Sequence, residues 1–241
     1  MNICVINGLE KKGITYNLKE LFLEEFRNLS NEITEFYLPR DLNGFCIGCT
    51  NCFCKGEDTC KDREQVSKIK EGILKADLLV FAYPTYVFHT PGTVKSLLDH
   101  LGHMWIVHRP EKAIFSKRAV IITQCLGAGT RGAVKDVKDS LAWWGIPYIK
   151  CYKGAIRDIS IIWNELTSKR REALTQDIKH FANKISRINF SKKPKVSFII
   201  KMKFFICRMM QKGVMKQGIP SVDSEHWKAN GWLDKERPWK K

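Results

Sequence analysis

Residues 1–23 read MNICVINGLEKKGITYNLKELFL, and this stretch decides the fold. The run 2–7 is almost entirely apolar, as in a strand that is buried on both faces. It ends at Gly8, and after a short polar turn Leu18, Leu21 and Phe22 recur at helical spacing. A buried strand that enters an amphipathic helix through a glycine-containing turn predicts one β/α unit of a parallel sheet.

The same pattern recurs along the chain. Short apolar or β-branched runs predict five strands, at 2–7, 33–38, 78–83, 119–123 and 148–152. Amphipathic segments predict five helices, at 16–29, 62–75, 91–102, 132–144 and 164–188. Units of this length are typical of a flavodoxin-like α/β fold, a three-layer sandwich around a five-stranded parallel sheet in the order 2-1-3-4-5.

The composition changes after residue 189. We therefore predict a flavodoxin-like domain at 1–189 and a basic, aromatic-containing extension at 190–241. The formal net charge is +16, and residues 187–241 alone hold fourteen Lys or Arg against four Asp or Glu, which is +10 of that total. The body is only mildly basic and shows no zinc-finger, helix-turn-helix or RNA-stacking motif, so we expect phosphorylated small molecules and no nucleic acid as partners.

Residues 196–210 of the extension predict a basic amphipathic helix. Two interpretations are open, binding to a membrane surface or packing on the body or a partner subunit. We favour packing, because the apolar positions do not segregate cleanly from Lys201, Lys203 and Arg208 along the sequence.

The cysteines and the apolar runs indicate a compartment. No run approaches the roughly 20 apolar residues that span a bilayer, and the start of the chain lacks signal-peptide features. Five of the nine cysteines crowd into residues 46–60, and the scattered four fit inert core thiols. We expect a cytoplasmic protein with no integral membrane segment, whose clustered thiols serve metal, cluster or redox chemistry.

Ligands of an open parallel sheet bind beyond the carboxyl ends of its strands. The loop after the first strand, residues 8–15, offers two glycines with Lys11, Lys12 and Thr15 at a helix start. Unpaired N–H groups and the positive end of the helix dipole there suit a phosphate. The loop is not a Walker motif, and an ordinary βα turn is the alternative.

Two further loops complete this edge. Residues 83–92, YPTYVFHTPG, form a stiff aromatic wall that suits a planar heterocycle. Residues 124–132, QCLGAGTRG, allow a close approach from the other side. Either loop alone could be an ordinary connection, but the three together at one edge favour a binding site.

The loop after the second strand is rich in thiols. It contains Cys46-x2-Cys49-x2-Cys52-x-Cys54-x5-Cys60, with glycines that relieve backbone crowding. Closely spaced thiolates of this kind can converge on one metal centre.

With these motifs the chain resembles the NAD(P)H-dependent FMN reductases of the flavodoxin-like superfamily, especially their iron–sulfur flavoprotein branch. The segments that carry the resemblance are the 8–15 loop, FCIGCTNC at 45–52 with Cys60 and Asp62, YPTY at 83–86 with Lys95, Leu98 and Asp99, and EHWKANGWL at 225–233. The resemblance implies an oxidoreductase that passes electrons from NAD(P)H through FMN to a flavin, quinone or similar acceptor.

The resemblance also implies the cofactor contacts. The FMN phosphate is expected at Lys11, Lys12, Gly13, Ile14 and Thr15, with Leu9 and Asn17 as further cofactor contacts. The isoalloxazine is expected against Pro84, Thr85, Tyr86, Val87, Phe88, Gln124, Gly127 and Gly129. Many relatives have Ser in place of Leu9 and Asn in place of Ile14, so here backbone N–H groups must do more of the binding.

No acid–base residue is required by the sequence, because the cofactor carries the chemistry. Tyr86 and His89 are the candidates for a catalytic proton donor or for stacking, with a passive pocket wall as the alternative. His89 replaces a residue that is small in many relatives, which alters the expected nicotinamide pocket.

Several interpretations of the cysteine loop stay open. Cys46, Cys49, Cys52 and Cys60 could bind a [4Fe–4S] cluster, with Cys54 as the spare thiol. Reduced thiols that line a pocket or a subunit contact, zinc, and a disulfide are the alternatives. With a cluster, the alternative function is an electron carrier or redox sensor for a protein partner.

The tail residues Trp227, Trp232 and Trp239 need an apolar surface to cover them. We expect them at the flavin edge of the sheet, in the same chain or in a second subunit, within a homodimer of the kind common in the family. The acceptor and the choice between NADH and NADPH are not readable from the sequence.

Overall fold

The computed structural model describes residues 1–27, 30–158, 160 and 162–240. The strands are β1 Asn2–Asn7, β2 Glu32–Tyr37, β3 Leu78–Pro84, β4 Arg118–Cys125 and β5 Tyr148–Ala155. The α-helices are α1 Ile14–Arg27, α2 Asn51–Cys54, α3 Arg63–Lys75, α4 Gly92–His100, α5 Thr130–Trp144, α6 Ser168–Ser186, α7 Phe198–Lys216 and α8 Val222–Ala229. The predicted alternation of strands and helices through residue 188 is confirmed.

The five strands form one parallel sheet in the order β2-β1-β3-β4-β5, as predicted. The register places Ile6 of β1 between Phe36 of β2 and Phe81 of β3, and Phe81 is paired in turn with Ile121 of β4. The winding reverses at β1 and β3, so the carboxyl ends of these strands leave a crevice for a ligand.

Alternation along the strands divides the core into two layers. Ile3, Val5 and Val80 face α1 and α6, where Phe22 and Ile178 are fully buried. The opposite side chains face α3, α4 and α5 in a second layer. Both faces of the sheet are therefore covered, which explains why the strands read as nearly continuous apolar runs.

The helix bounds differ from the predictions where local signals compete. The first helix begins at Ile14 rather than at 16, and the predicted end at Leu29 lies outside the described residues. The last predicted helix, which is α6 in the structure, begins at Ser168 rather than at 164, because Trp163–Glu165 forms a separate 3-10 turn. The four-residue helix α2 in the cysteine loop was not predicted, since four residues show no period.

Three of the scattered thiols, those of Cys4, Cys125 and Cys207, are buried, and Cys151 is half-buried. Burial raises the pKa of Cys4 to about 12 and the pKa of Cys207 to about 11. Such thiols carry no thiolate at neutral pH, so they act as small apolar side chains.

The extension packs on the body through a third apolar cluster. Trp227 and Trp232 are buried there beside Phe204 of α7, against Ile106 and Phe115. Phe115 precedes β4, so the cluster lies toward the amino ends of the strands. The expectation that the tail of the same chain covers the ligand edge is therefore wrong, because the apolar surface that the tryptophans need lies elsewhere. A cover from a second subunit stays a prediction.

Candidate functional site

A cleft of about 220 Å³ opens at the carboxyl ends of β1, β3 and β4. It is lined by Asn7, Leu9, Lys11, Gly13, Ile14, Thr15, Tyr16, Ala82, Pro84, Thr85, Tyr86, Gln124, Leu126 and Ile156. The lining residues between Asn7 and Tyr16 come from the end of β1, the turn after it and the start of α1. The remaining lining residues lie at or just after the carboxyl ends of β3, β4 and β5. The cleft thus lies at the topological switch point, where open α/β sheets bind their ligands.

Gly8 allows the chain to turn at this edge. A Cβ atom on Gly8 would lie 2.6 Å from the Cβ of Tyr83 and 2.7 Å from a methyl group of Val94. The hydroxyl of Thr93 donates to the Gly8 carbonyl at 2.7 Å, which ties the turn to the start of α4. Only glycine fits this close approach between the turn, β3 and α4.

The first turn of α1 forms one wall of the cleft. Its N–H groups have no intrahelical acceptor, and a Cβ on Gly13 would meet nothing within 4 Å. The Thr15 hydroxyl accepts a hydrogen bond from the Gln124 side chain at 3.3 Å and can still donate. This wall offers hydrogen-bond donors and a positive helix end to an anionic group.

The loop after β3 folds into a tight turn at residues 86–89. The N–H of Tyr86 donates to the His89 carbonyl at 3.0 Å, and the His89 N–H donates back at 2.9 Å. Val87 and Phe88 take positive φ angles of 47° and 66°. Such angles are rare for a β-branched or bulky residue, so the turn stores backbone strain of a kind that clusters at functional sites.

His89 faces away from the cleft, toward α5. Its Nδ1 lies 3.3 Å from a carboxylate oxygen of Asp136, and its side chain is 70% exposed. The same carboxylate accepts a hydrogen bond from the N–H of Thr90 at 3.2 Å. His89 therefore helps to anchor the turn to α5, whereas Tyr86 lines the cleft.

The structure brings together most, but not all, of the predicted cofactor contacts. Those that line the cleft are Leu9, Lys11, Gly13, Ile14, Thr15, Pro84, Thr85, Tyr86 and Gln124. Those that lie outside the lining are Lys12, Asn17, Val87, Phe88, Gly127 and Gly129. Asn17 instead donates to the Gly13 carbonyl at 2.9 Å, within the start of α1, and the ring of Phe88 lies over Gly129.

Sequence reasoning missed four residues of the lining, Asn7, Tyr16, Ala82 and Ile156, whereas Leu126 lies within the loop that was predicted to contact the flavin ring. Asn7 and Ala82 lie at or near the last position of a buried strand, a signal that could have found them. Ile156 directly follows β5, and the sequence analysis placed only the loops after the first, third and fourth strands at the ligand site.

A second cavity, of about 60 Å³, lies in the cysteine loop. Cys46, Cys49, Cys52 and Cys60 border it, together with Phe53 and His100 among others. All four are free thiols, and the exposed Cys54 is outside the lining. This donor set fits an iron–sulfur cluster. No residue lines both this cavity and the cleft.

The thiols of this cavity sit in a polar frame. Cys60 Sγ lies 3.6 Å from Nδ1 of His100, and Nε2 of His100 lies 3.4 Å from a carboxylate oxygen of Asp62. Burial, followed by the charges of Cys46 and Cys60, raises the pKa of Cys52. Cys60, Asp62 and His100 each offer one ligand atom, and these three atoms lie within 4.8 Å of one another, a spacing that one metal ion can bridge.

Arg109 connects the cysteine loop to the extension. It donates to the Glu57 carboxylate at 2.9 Å and to the Cys52 carbonyl at 2.5 Å, and it forms an ion pair with Asp223 of α8. Burial alone would raise the pKa of Glu57, but its hydrogen bond to Lys70 and the Lys70 charge hold it at about 2. The cysteine loop is therefore held in place by ion pairs among Arg109, Glu57, Lys70 and Asp223, whose side chains are largely shielded from solvent.

Comparisons with known proteins agree with this geometry. The model of the NADPH-dependent FMN reductase family matches residues 1–158. An iron–sulfur flavoprotein of Archaeoglobus fulgidus is 33% identical over 99 residues, which cover 41% of this chain and 48% of that protein. FMN-dependent NADH:quinone oxidoreductase 3 of Pseudomonas aeruginosa is 27% identical over 133 residues, which cover 52% of this chain and 59% of that protein. The chain thus spans about half the length of these relatives.

Solved structures agree on the fold. The NAD(P)H:quinone oxidoreductase from Methanothermobacter marburgensis superposes with a TM-score of 0.60 at 16% identity, covering 78% of this chain and 98% of that one. The match to the family model takes in all five strands and the turns that build the cleft. It confirms the resemblance seen in the sequence, and the chain belongs to the NADPH-dependent FMN reductase family.

Proposed function

We propose that this protein is an FMN-dependent oxidoreductase that transfers electrons from NAD(P)H to a flavin, quinone or similar acceptor. The observation that carries the proposal is the cleft at the switch point, with the first turn of α1 on one side and Pro84 to Tyr86 on the other. FMN is the cofactor of the family to which the chain belongs. When bound, it supplies the hydride and electron chemistry.

The residues of the cleft divide the binding task. The N–H groups at the start of α1, the Thr15 hydroxyl and Lys11 would hold the phosphate. Pro84, Thr85 and Gln124 would form the wall against the flavin ring, and the Thr85 N–H already donates to the Gln124 carbonyl at 2.8 Å. Tyr86 is the candidate for a proton donor or stacking partner, and His89 would act only by holding the turn.

The rim of the cleft supports the proposal of a homodimer. Tyr86, Val87, Phe88 and Leu126 are exposed to between 50% and 90% of their surface. Apolar groups that gather around a cleft mark an interaction site. A second copy of the chain would cover them and shape the pocket for nicotinamide and acceptor. The nine free thiols suit a reducing compartment, which supports a cytoplasmic location.

Two measurements test the principal proposal. Protein purified in the dark should contain about one FMN per chain, with flavin absorption bands. Steady-state NAD(P)H oxidation should depend on an added flavin or quinone. A protein that binds riboflavin as tightly as FMN would have no phosphate site at α1, and a protein with FMN but no turnover would be a carrier.

A second candidate function is an iron–sulfur flavoprotein that exchanges electrons with a protein partner. The observation that favours it is the group of four cysteines around one cavity. Protein purified without oxygen should then contain about four iron atoms per chain. Protein that shows no iron after reconstitution with iron and sulfide would hold free thiols instead.

A further inference from the structure

Helix α7 has two apolar faces, and only one of them is covered. Ile200, Phe204, Cys207 and Gln211 are buried against the body. The exposed large side chains are Phe198, Ile199, Met202, Phe205, Ile206, Met209 and Met210, each at least 45% exposed. Single exposed apolar residues are common on protein surfaces, but seven on one helix form a continuous apolar patch, which is typical of an interaction site.

Four of the five charges of α7 lie between the two faces, and Lys216, in the last turn, lies on the exposed face. At about 100° per residue, the exposed apolar side chains occupy an arc of about 140° on the side opposite the buried ones. Lys201, Arg208 and Lys212 flank this arc on one side, and Lys203 flanks it on the other. The expected packing of this helix on the body is confirmed for one of its faces, and the apolar positions look mixed in the linear sequence because two apolar faces overlap there.

The region around this face is strongly basic. Residues 187–222 hold nine Lys or Arg and no Asp or Glu. Lys192, Lys193, Lys195, Lys201 and Lys216 are exposed, and none of them forms an ion pair within the part of the chain that the structure describes. Just before α7, Lys112, Lys193 and Lys195 border a cavity of about 250 Å³.

These features argue against three simple ways to cover the face. The body already packs on the opposite side of α7. A second copy seated face to face would bring together two segments that carry only positive charge, and close like charges repel. Among the described residues no helix is long and apolar enough to cross a bilayer, and α7 itself is interrupted by lysines.

We propose that α7 lies in the plane of an anionic membrane surface. Its exposed apolar face enters the boundary between headgroups and acyl chains, and the flanking lysines contact the acidic headgroups. Helices that bind in the plane of an anionic membrane combine one apolar face with basic side chains along its edges, and α7 has both features. Membrane binding through α7 is separate from the redox function, so either can fail without the other.

Vesicle binding by the full-length protein tests the proposal. Cosedimentation is measured with phosphatidylcholine vesicles that contain or lack phosphatidylglycerol. We expect binding to the anionic vesicles only, and weaker binding when salt is raised from about 0.1 M to about 1 M. Lys201→Glu/Lys216→Glu should weaken it about 30-fold, and the charge-matched control Lys68→Glu/Lys169→Glu should bind like the wild type.

The apolar contribution needs its own variant. Phe198→Ser/Phe205→Ser should weaken binding at least about tenfold, whereas Ile162→Ser, an exposed apolar control away from α7, should not. Equal binding to both kinds of vesicle, or equal losses in the charge variant and its control, would overturn the proposal. So would sedimentation velocity showing a dimer that Phe198→Ser/Phe205→Ser converts to monomers, because a second copy would then cover the face.

Discussion

Arg109 donates a hydrogen bond of 2.5 Å to the main-chain carbonyl of Cys52, and through it the extension supports the cysteine loop. The same guanidinium pairs with Glu57 of the loop and with Asp223 of α8. A planar group with five donors in a fixed fork can serve three acceptors spread around its edge, a geometry that the compact ammonium group of lysine does not provide. The loop that carries the clustered thiols is thus held by residues more than fifty positions away in the chain.

Replacing Arg109 tests this support. Arg109→Gln should lower the free energy of unfolding by about 3 kcal/mol, because the largely buried Asp223 loses its guanidinium partner, whereas Glu57 keeps its ion pair with Lys70. Urea denaturation measures the loss. The thiols of the loop should also react faster with a disulfide reagent under native conditions. Lys135→Gln, which removes an exposed pair with Asp139, should change stability by less than about 1 kcal/mol. Unchanged thiol reactivity would mean that the loop holds its shape without Arg109.

Thr15 is the side chain through which the phosphate site can be tested. Thr15→Ala should weaken FMN binding by roughly 1 to 2 kcal/mol, because one hydrogen bond to a charged oxygen is lost. Flavin fluorescence titration measures the dissociation constant. Riboflavin binding should change little, since it has no phosphate. Thr175→Ala, which removes a hydroxyl bonded to the Arg171 carbonyl, serves as the control. An equal effect on riboflavin would place the phosphate elsewhere.

Gly8 should tolerate substitution less well than Gly213, which lies in open space. Gly8→Ala places a methyl group 2.6 Å from the Cβ of Tyr83, so stability should fall by about 1 to 3 kcal/mol. FMN content should fall with it, because the turn that bears Gly13 would move. Gly213→Ala in α7 meets nothing within 4 Å, and there we expect a gain of about 0.5 to 1 kcal/mol. Thermal unfolding of both variants decides the comparison.

Glu57 should make stability depend on acidic pH. Its folded pKa of about 2 lies below its ordinary value of 4.5, so it binds protons more weakly in the folded state. Its contribution is therefore complete above pH 4.5 and is lost as the pH falls toward 2. With a third of the side chain exposed, we expect Glu57→Gln to cost about 1 to 2 kcal/mol at pH 7.

Denaturant titrations across the acid range measure this contribution. The stability difference between wild type and Glu57→Gln should shrink as the pH drops below 4.5. Glu64→Gln, on an exposed part of α3, is the matched control and should show no such trend. A constant difference between Glu57→Gln and wild type would assign the loss to packing rather than to charge.

The cysteine cavity and the cleft should respond separately to mutation. Cys49→Ser and Cys52→Ser should leave FMN content intact, because no residue lines both sites. If the anaerobic wild type holds iron, both variants should lose it, whereas Cys54→Ser should keep it. Absorption spectra and iron analysis measure the two losses independently. A loss of FMN in Cys52→Ser would show that the sites are coupled.

The hydrophobic pattern of short sequence segments was enough to predict most of the fold. The limits of β1 agree with the prediction residue for residue, and the order of the sheet follows from five β/α units of ordinary length. The three loops that meet at the cleft were identified because parallel strands end at one edge. Nine of the cofactor contacts that the family resemblance implied line the cleft.

What the sequence by itself determined is everything set by period and by neighbours along the chain: the strands, the helices, the ligand edge and the cluster of thiols. Tertiary structure alone decided which distant residues meet. The pairing of Arg109 with Asp223 spans 114 positions and leaves no periodic trace. The place of Trp227 and the free face of α7 likewise depend on which apolar surface of the body remains uncovered, a property of the packed molecule and not of any one segment.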